Sequence, residues 1–354
     1  MILGNHNNIY TVETVLSGHP DKVCDQICDA ILDSFIAVDK NANVTVECMG
    51  TGDNLFIGGE VFSTESLNVS KIALQTFRNI GYDSNLNVVN ELHLESTQTN
   101  APIKNGDAGD QGIMYGYACK NEYNFLPLGV FLVNAIAKAI DKIRHCTNAF
   151  LPDGKVQITL NGQAVLSLVV CVQHEPNADL VFLKNLIIDK LFQLFPILET
   201  TPKIFFNHNS NFTKGGFEID AGLSGRKIIA DTYCCGLVPH GGGSFSGKDP
   251  YRMDRAGAYM ARYVAKNIVA NGIADSCLVS LAYVFGHSDP VMIHVDTGNL
   301  TLNRKTLTLV KGKFDFRPPA IVECLDLYGS RFLPTATYGH FTNPDYSWEK
   351  IINI

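Results

Sequence analysis

Residues His240 to Asp249 read His-Gly-Gly-Gly-Ser-Phe-Ser-Gly-Lys-Asp. Glycines let backbone N–H groups close around phosphate oxygens, and Lys248 adds a mobile positive charge. From Gly242 the spacing is G-x-x-x-x-G-K, one residue short of a nucleotide-binding P-loop. That motif next needs Ser or Thr, to bring a hydroxyl to Mg²⁺. This chain has Asp249 and then Pro250, which bars a helix from running straight out of the loop. The segment reads as a polyphosphate cradle of another kind, with a plain glycine-rich surface turn as the alternative.

Ser17-Gly-His-Pro-Asp-Lys22 opens a helix whose free N–H groups and dipole suit an anion. His19 and Lys22 add donors, whereas Asp21 would repel phosphate unless a cation lies between them. The reading is Mg²⁺-bound phosphate, against a helix cap with surface charges. Asp21, Asp25, Asp29 and Asp33 recur every four residues; like charges so stacked predict a solvated face for all but Asp21, taken as a metal ligand. Glu47 and Glu60 fall on paired strands. Alternation with Phe56 and Phe62 puts Glu60 on an apolar face, where a carboxylate serves either an ion pair or a cationic ligand. Residues 98–110, polar and glycine-rich, read as a lid or a plain connection. Asp153-Gly-Lys155, Asp220 and Gly225-Arg-Lys227 mix acids and bases at expected strand ends.

These residues need a scaffold. A chain of 354 residues has room for two or three domains of roughly 100 to 150 residues. A hydrophobic fraction of 46% and charged fraction of 18% exclude a disordered chain. Net charge -7 argues against broad binding to nucleic acid or anionic membrane. The N-terminus lacks the pattern of a secretory signal, so a reducing cytoplasm is expected, with the ten cysteines mostly in the core. Pro127 to Ile140 is too short and polar for a membrane span and reads as a buried helix.

Asn161-Gly162 predicts a hairpin between Lys155–Leu160 and Gln163–Cys171. Two more are expected around Gly52-Asp53-Asn54 and around Gly286-His287-Ser288-Asp289. Helices are expected from Pro20 (Val23, Ile27, Ile31, Phe35), through Val69 to Ile80 with Gly81 as cap, after Pro127, through Leu180 to Phe195, and from Asp254. Helix, hairpin, helix and strand thus recur three times, spaced by about 110 to 130 residues. This predicts an α+β fold of three similar domains in pseudo-threefold arrangement. Their sheets would be mainly antiparallel with helices on one face. Divided by sequence they are residues 1–107, 108–230 and 231–354, with discontinuous boundaries allowed.

In order, Gly18-His-Pro-Asp-Lys22, Gly58-Gly-Glu60, Gly109-Asp-Gln-Gly112, Gly225-Arg-Lys227, the His240–Asp249 cradle, Tyr338-Gly-His-Phe341 and Trp348-Glu-Lys350 closely resemble the S-adenosylmethionine synthetase family, also called methionine adenosyltransferases. The resemblance spans nearly the whole chain. It implies three α+β domains, a dimer or pair of dimers with active sites between subunits, and attack of methionine sulfur on C5′ of ATP. The triphosphate leaves whole and is then cleaved. By resemblance His19 would assist departure at C5′, while Lys22, Lys155, Arg226, Lys227 and Lys248 would neutralise triphosphate. Asp21 and Asp254 would hold two Mg²⁺ ions and Glu47 a K⁺. Glu60, Gln98, Asp220 and Arg252 would serve methionine. Asp110, Asp153, Asn211, Phe212, Asp220 and Ser244 would serve the nucleotide.

Ser210-Asn211-Phe212 stands where the family has Gly-Arg-Phe, Arg252 where Lys is usual, and Pro239 where a basic residue precedes the glycines. The segment 98–110 is shorter than in familiar bacterial members. A P-loop phosphotransferase would need a hydroxyl at Asp249. A non-catalytic, ligand-binding relative should have lost triphosphate lysines or Asp21, and all are retained.

Overall fold

The computed structural model describes residues 9–354 other than 96–105, 148, 201, 209–210 and 235–237. The first stretch of chain holds β1 (Ile9–Val15), α1 (Pro20–Val38), β2 (Asn43–Thr51), β3 (Asn54–Phe62), α2 (Val69–Ile80) and β4 (Asn87–Glu95). Next come β5 (Gly112–Cys119), α3 (Leu128–Arg144), β6 (Phe150–Asn161), β7 (Ala164–His174), α4 (Leu180–Leu194) and β8 (Lys203–Phe206). The last stretch has β9 (Gly222–Leu223), α5 (Ile228–Asp231), α6 (Met253–Ala270), β10 (Ser276–Tyr283), β11 (Met292–Asp296), α7 (Leu300–Lys313) and α8 (Pro318–Cys324).

Turn chemistry closes the hairpins. Thr51 faces Asn54, leaving Gly52 (φ 53°) and Asp53 as a two-residue turn. Asn161 faces Ala164, so the second turn is Gly162-Gln163, one residue later than the Asn-Gly signal. β10 and β11 pair antiparallel.

Three sheets result, ordered β4-β3-β2-β9, β8-β7-β6-β1 and β11-β10-β5. Each sets a hairpin beside an antiparallel strand from another stretch of chain, namely β9, β1 or β5. β4 and β8 add parallel edges to β3 and β7. The third sheet has no such edge among the described residues: Pro318 and Pro319 open α8, and proline cannot donate to a ladder.

Helices supply the other layer. Val23, Ile27, Ile31 and Phe35 are all fully buried on α1. The cap of α2 is the expected Gly81, at φ 119°. α6 is buried along almost its whole length, charges included. Its Arg262 and Lys266 converge on Glu349 at 2.9 and 2.8 Å, and Trp348 stacks on Tyr259 with centroids 3.9 Å apart. The C-terminal motifs therefore brace α6. Tyr338 does similar work at the start of α1: its hydroxyl donates to Asp141 Oδ2 at 2.6 Å and accepts from Ser17 N at 3.3 Å.

The acidic ladder of α1 is not a solvated face. Asp25 and Asp29 are fully buried and Asp33 half-buried. Along this edge Asp21 accepts Leu223 N at 2.9 Å, Asp25 accepts Gly225 N at 2.8 Å, Asp29 accepts Gly247 N at 2.8 Å, and Asp33 accepts Phe332 N at 2.9 Å. The spacing that stacks repelling charges on an isolated helix here aligns four acceptors for three incoming segments, around residues 223–225, Gly247 and Phe332.

Candidate active site

At the N-terminus of α1, His19 is the cap residue and its Nδ1 accepts Asp21 N at 3.2 Å. Burial, and then the Lys227 charge, bring the imidazole pKa down to about 4. A neutral ring accepting at Nδ1 carries its proton on Nε2. Asp21 is fully buried, with Lys227 Nζ 2.5 Å from Oδ2 and Arg226 Nε 3.3 Å from Oδ1. Half-exposed Lys155 pairs with Glu13 at 2.8 Å, close enough, with Asp220, to act on His19. Asp153 accepts Gly216 N at 2.9 Å inside β6, not at a strand end. Burial pushes its carboxyl up to about 6.

Lys22 lies apart from these cations. Its ammonium is buried, 2.8 Å from Asp25 and hydrogen-bonded to Asp231. Burial opposes the charge, but the two carboxylates outweigh it and hold the lysine above its ordinary value. Burial likewise lifts Asp231 to about 7, against the pull of Lys22.

The glycine loop forms the second group. Lys248 pairs with Asp254 in the first turn of α6. Gly243 lets the loop pass so close that a Cβ there would lie 2.0 Å from Asp254 Oδ1. Asp249, the residue that spoils the P-loop pattern, is fully buried; its carboxylate accepts Val44 N at 2.9 Å and Tyr251 N at 2.8 Å, tying the loop to β2. Ser244 packs against Gly225, where a Cβ would lie 2.7 Å from it. The segments that carry the two cation groups therefore touch at that contact.

Beside them opens a groove of about 640 Å³ lined by Glu47, Glu60, Arg252, Met49, Phe56 and Leu223, among others. Arg252 donates to Gly109 O at 3.3 Å and begins α6. Glu60 does not share a buried face: Leu55, Ile57 and Val61 point into the core, while Phe56 and Glu60 are exposed. Both faces of β3 carry apolar residues, so alternation alone picked the wrong one as buried.

Half-exposed Asp110 caps its own turn through Gln111 N at 2.7 Å, and exposed Asp220 does the same through Ala221 N at 2.8 Å. Asn211 is exposed, and Phe212 is tied by its carbonyl to His174 N at 2.9 Å. Neither is joined by a described ion pair or hydrogen bond to the two cation groups. Gln98, Ser210 and most of the 98–110 segment lie outside the described residues. Sequence reasoning missed Asp25, Asp29, Asp231 and Arg255. A four-membered acidic repeat with a single base, Lys22, on its own helix was the available sign that most of its partners come from elsewhere.

Among the described residues no three His, Cys, Asp or Glu side chains gather as a metal cage. Asp21 and Asp254 instead each offer one hard carboxylate beside a lysine, a donor set that suits Mg²⁺ completed by further oxygen ligands.

Three α+β units around carboxylates, cations and a glycine loop define an enzyme of the class that handles a nucleotide polyphosphate. Family models for the S-adenosylmethionine synthetase N-terminal, central and C-terminal domains match residues 7–105, 105–212 and 214–350. The S-adenosylmethionine synthase of Wolinella succinogenes is 40% identical, over 97% of this chain and 95% of that protein. That of Syntrophobacter fumaroxidans is 38% identical, over 97% and 96%. The chain belongs to the S-adenosylmethionine synthetase family, and its activity is that of a methionine adenosyltransferase, with ATP and methionine as substrates.

Proposed function

We propose that this site lets the methionine sulfur attack C5′ of ATP, forming the S–C bond of the sulfonium as the C5′–O bond breaks. The electron pair leaves with the intact triphosphate, and water then cleaves triphosphate to phosphate and diphosphate. The observation that carries this reading is the contact of Gly225 with Ser244, which joins the segment bearing Arg226 and Lys227 to the loop bearing Lys248. The neutral thioether becomes a sulfonium while negative charge gathers on the leaving triphosphate, so stabilisation is needed at the departing end. No base is required for a thioether.

His19 would donate its Nε2 proton toward the leaving oxygen, and Lys155, Arg226, Lys227 and Lys248 would receive the triphosphate. Lys22 would support them from behind, through Asp25 and Asp231. Asp110, Asp153, Asn211, Phe212, Asp220 and Ser244 would contact the nucleotide. Glu60, Gln98, Asp220 and Arg252 would hold methionine, with Glu60 toward its ammonium. Two Mg²⁺ ions at Asp21 and Asp254 would supply charge neutralisation along the phosphates, and K⁺ at Glu47 would be structural or activating.

A homodimer, or dimer of dimers, with sites shared between subunits is supported by the exposed Met49, Phe56 and Leu223 around the groove. The division at 107 and 230 stands as a proposal beside the family-model limits. A cytoplasmic location fits free, buried thiols such as Cys24, Cys28, Cys48 and Cys277, and no described helix is long and apolar enough to cross a membrane.

Purified protein with ATP, Mg²⁺ and methionine should yield the sulfonium, phosphate and diphosphate in equal amounts. ADP as the nucleotide product, or diphosphate formed without methionine, would overturn the reading.

A further inference from the structure

Behind Lys248 lies a fully buried ion pair to which the proposed chemistry assigns no task. Asp29 and Arg255 are both 0% exposed. Arg255 Nη2 donates to Asp29 Oδ1 at 2.6 Å and to the Phe245 carbonyl at 2.7 Å; Nε donates to the Lys248 carbonyl at 2.8 Å, and Nη1 to the Tyr259 hydroxyl at 2.9 Å. The same Asp29 oxygen accepts Gly247 N at 2.8 Å. The guanidinium is covered by the Phe332 ring, 4.3 Å away. On the loop's other flank, Val46 N donates to Gly247 O at 2.9 Å, and Gly247 holds φ 80° with room for no Cβ, which would lie 2.0 Å from Val46 O.

Ion pairs buried this deeply add little net stability, because dehydrating both charges offsets their attraction. Their force here falls on the main chain. One planar fork fixes two carbonyls while its partner carboxylate fixes the N–H between them, which a lysine ammonium cannot reproduce.

We infer that Asp29 and Arg255 are positioning residues: they clamp the backbone of residues 245–248 against α1 and α6, and so set where the Lys248 ammonium meets the triphosphate. The inference rests on the triphosphate role proposed for Lys248. Its consequence is that α1 and α6, rather than the loop itself, determine the cation's place.

The test compares wild type, Arg255→Lys, the charge-neutral double variant Asp29→Asn/Arg255→Met and Lys248→Met. It uses the full chain with Mg²⁺, well below each melting temperature. Measured are kcat, KM for methionine and the inhibition constant of inorganic triphosphate against ATP. Arg255→Lys keeps the charge but loses the fork, so we expect its inhibition constant to rise by about tenfold or more and kcat to fall comparably, with KM for methionine nearly unchanged. The double variant should show the same loss even if its melting temperature is close to wild type. A merely structural pair would reduce the active fraction, which lowers kcat but leaves an inhibition constant where it was. Wild-type inhibition constants in Arg255→Lys and the double variant, beside a raised one in Lys248→Met, would overturn the clamp alone. An unchanged constant in Lys248→Met would instead remove the triphosphate role, and the clamp's function with it.

Discussion

Lys248 and Asp21 stand at opposite ends of one charge problem, since each is paired with a group of the other sign: Asp254 for the lysine, Lys227 and Arg226 for the aspartate. In the proposed mechanism, removing either charge removes stabilisation that matters most when the triphosphate departs. Lys248→Ala and Asp21→Asn should each cut kcat by more than about tenfold, with circular dichroism unchanged. Wild-type turnover would sink the assignment. Asp153 offers a different test at this scale. Its folded pKa of about 6 exceeds the unfolded value of 3.8, so between these limits the folded state holds more protons than the unfolded chain, and stability falls as pH rises through them. Above pH 6 the ionised carboxylate costs up to about 3 kcal/mol. Asp153→Asn removes that cost. Its melting temperature relative to wild type should therefore climb between about pH 4.5 and 7.5; a constant difference across that range would contradict burial as the cause.

Elements hold these residues through close approaches and through α1. Where α6 crosses β5, a Cβ on Gly116 would lie 2.0 Å from the carbonyl carbon of Ala261 and from the amide nitrogen of Arg262. Backbone cannot yield as a flexible side chain does, so Gly116→Ala should cost about 1–3 kcal/mol by overpacking and lower the melting temperature by several degrees. Calorimetry reading no change would mean that the helix lies farther from the sheet in solution. The four aspartates of α1 act at the same scale: a helix edge becomes a row of acceptors that gathers loops distant in sequence, from Leu223 to Phe332.

At the scale of the molecule, the groove holding Glu47, Glu60 and Arg252 is open, and its apolar wall carries Phe56 at 44% and Met49 at 39% exposure. Such a surface suits a second copy that completes the site. Phe56→Lys should then shift the protein toward monomer in light scattering and lower activity in parallel. A monomeric wild type, or an active monomeric variant, would refute the shared-site dimer.

Local signals determined much of this protein. Gly52, Gly81 and Gly162 sit where only a small residue takes a positive φ readily, and the 3.6-residue stripe of Val23 to Phe35 marks a core face wherever the helix is placed. Motif order along the chain identified the family, because functional spacing survives in sequence. What tertiary structure alone decided concerns partners far apart in the chain. Asp25 and Asp29 read as solvated charges until Gly225, Gly247 and Arg255 arrive from 200 or more positions away. Lys22 reads as a free cation until Asp231 encloses it. Glu60 reads as buried because alternation reports a period and not which face meets the core. Burial and charge pairing are properties of the space around a side chain, and that space is made by segments that a local window of sequence does not contain.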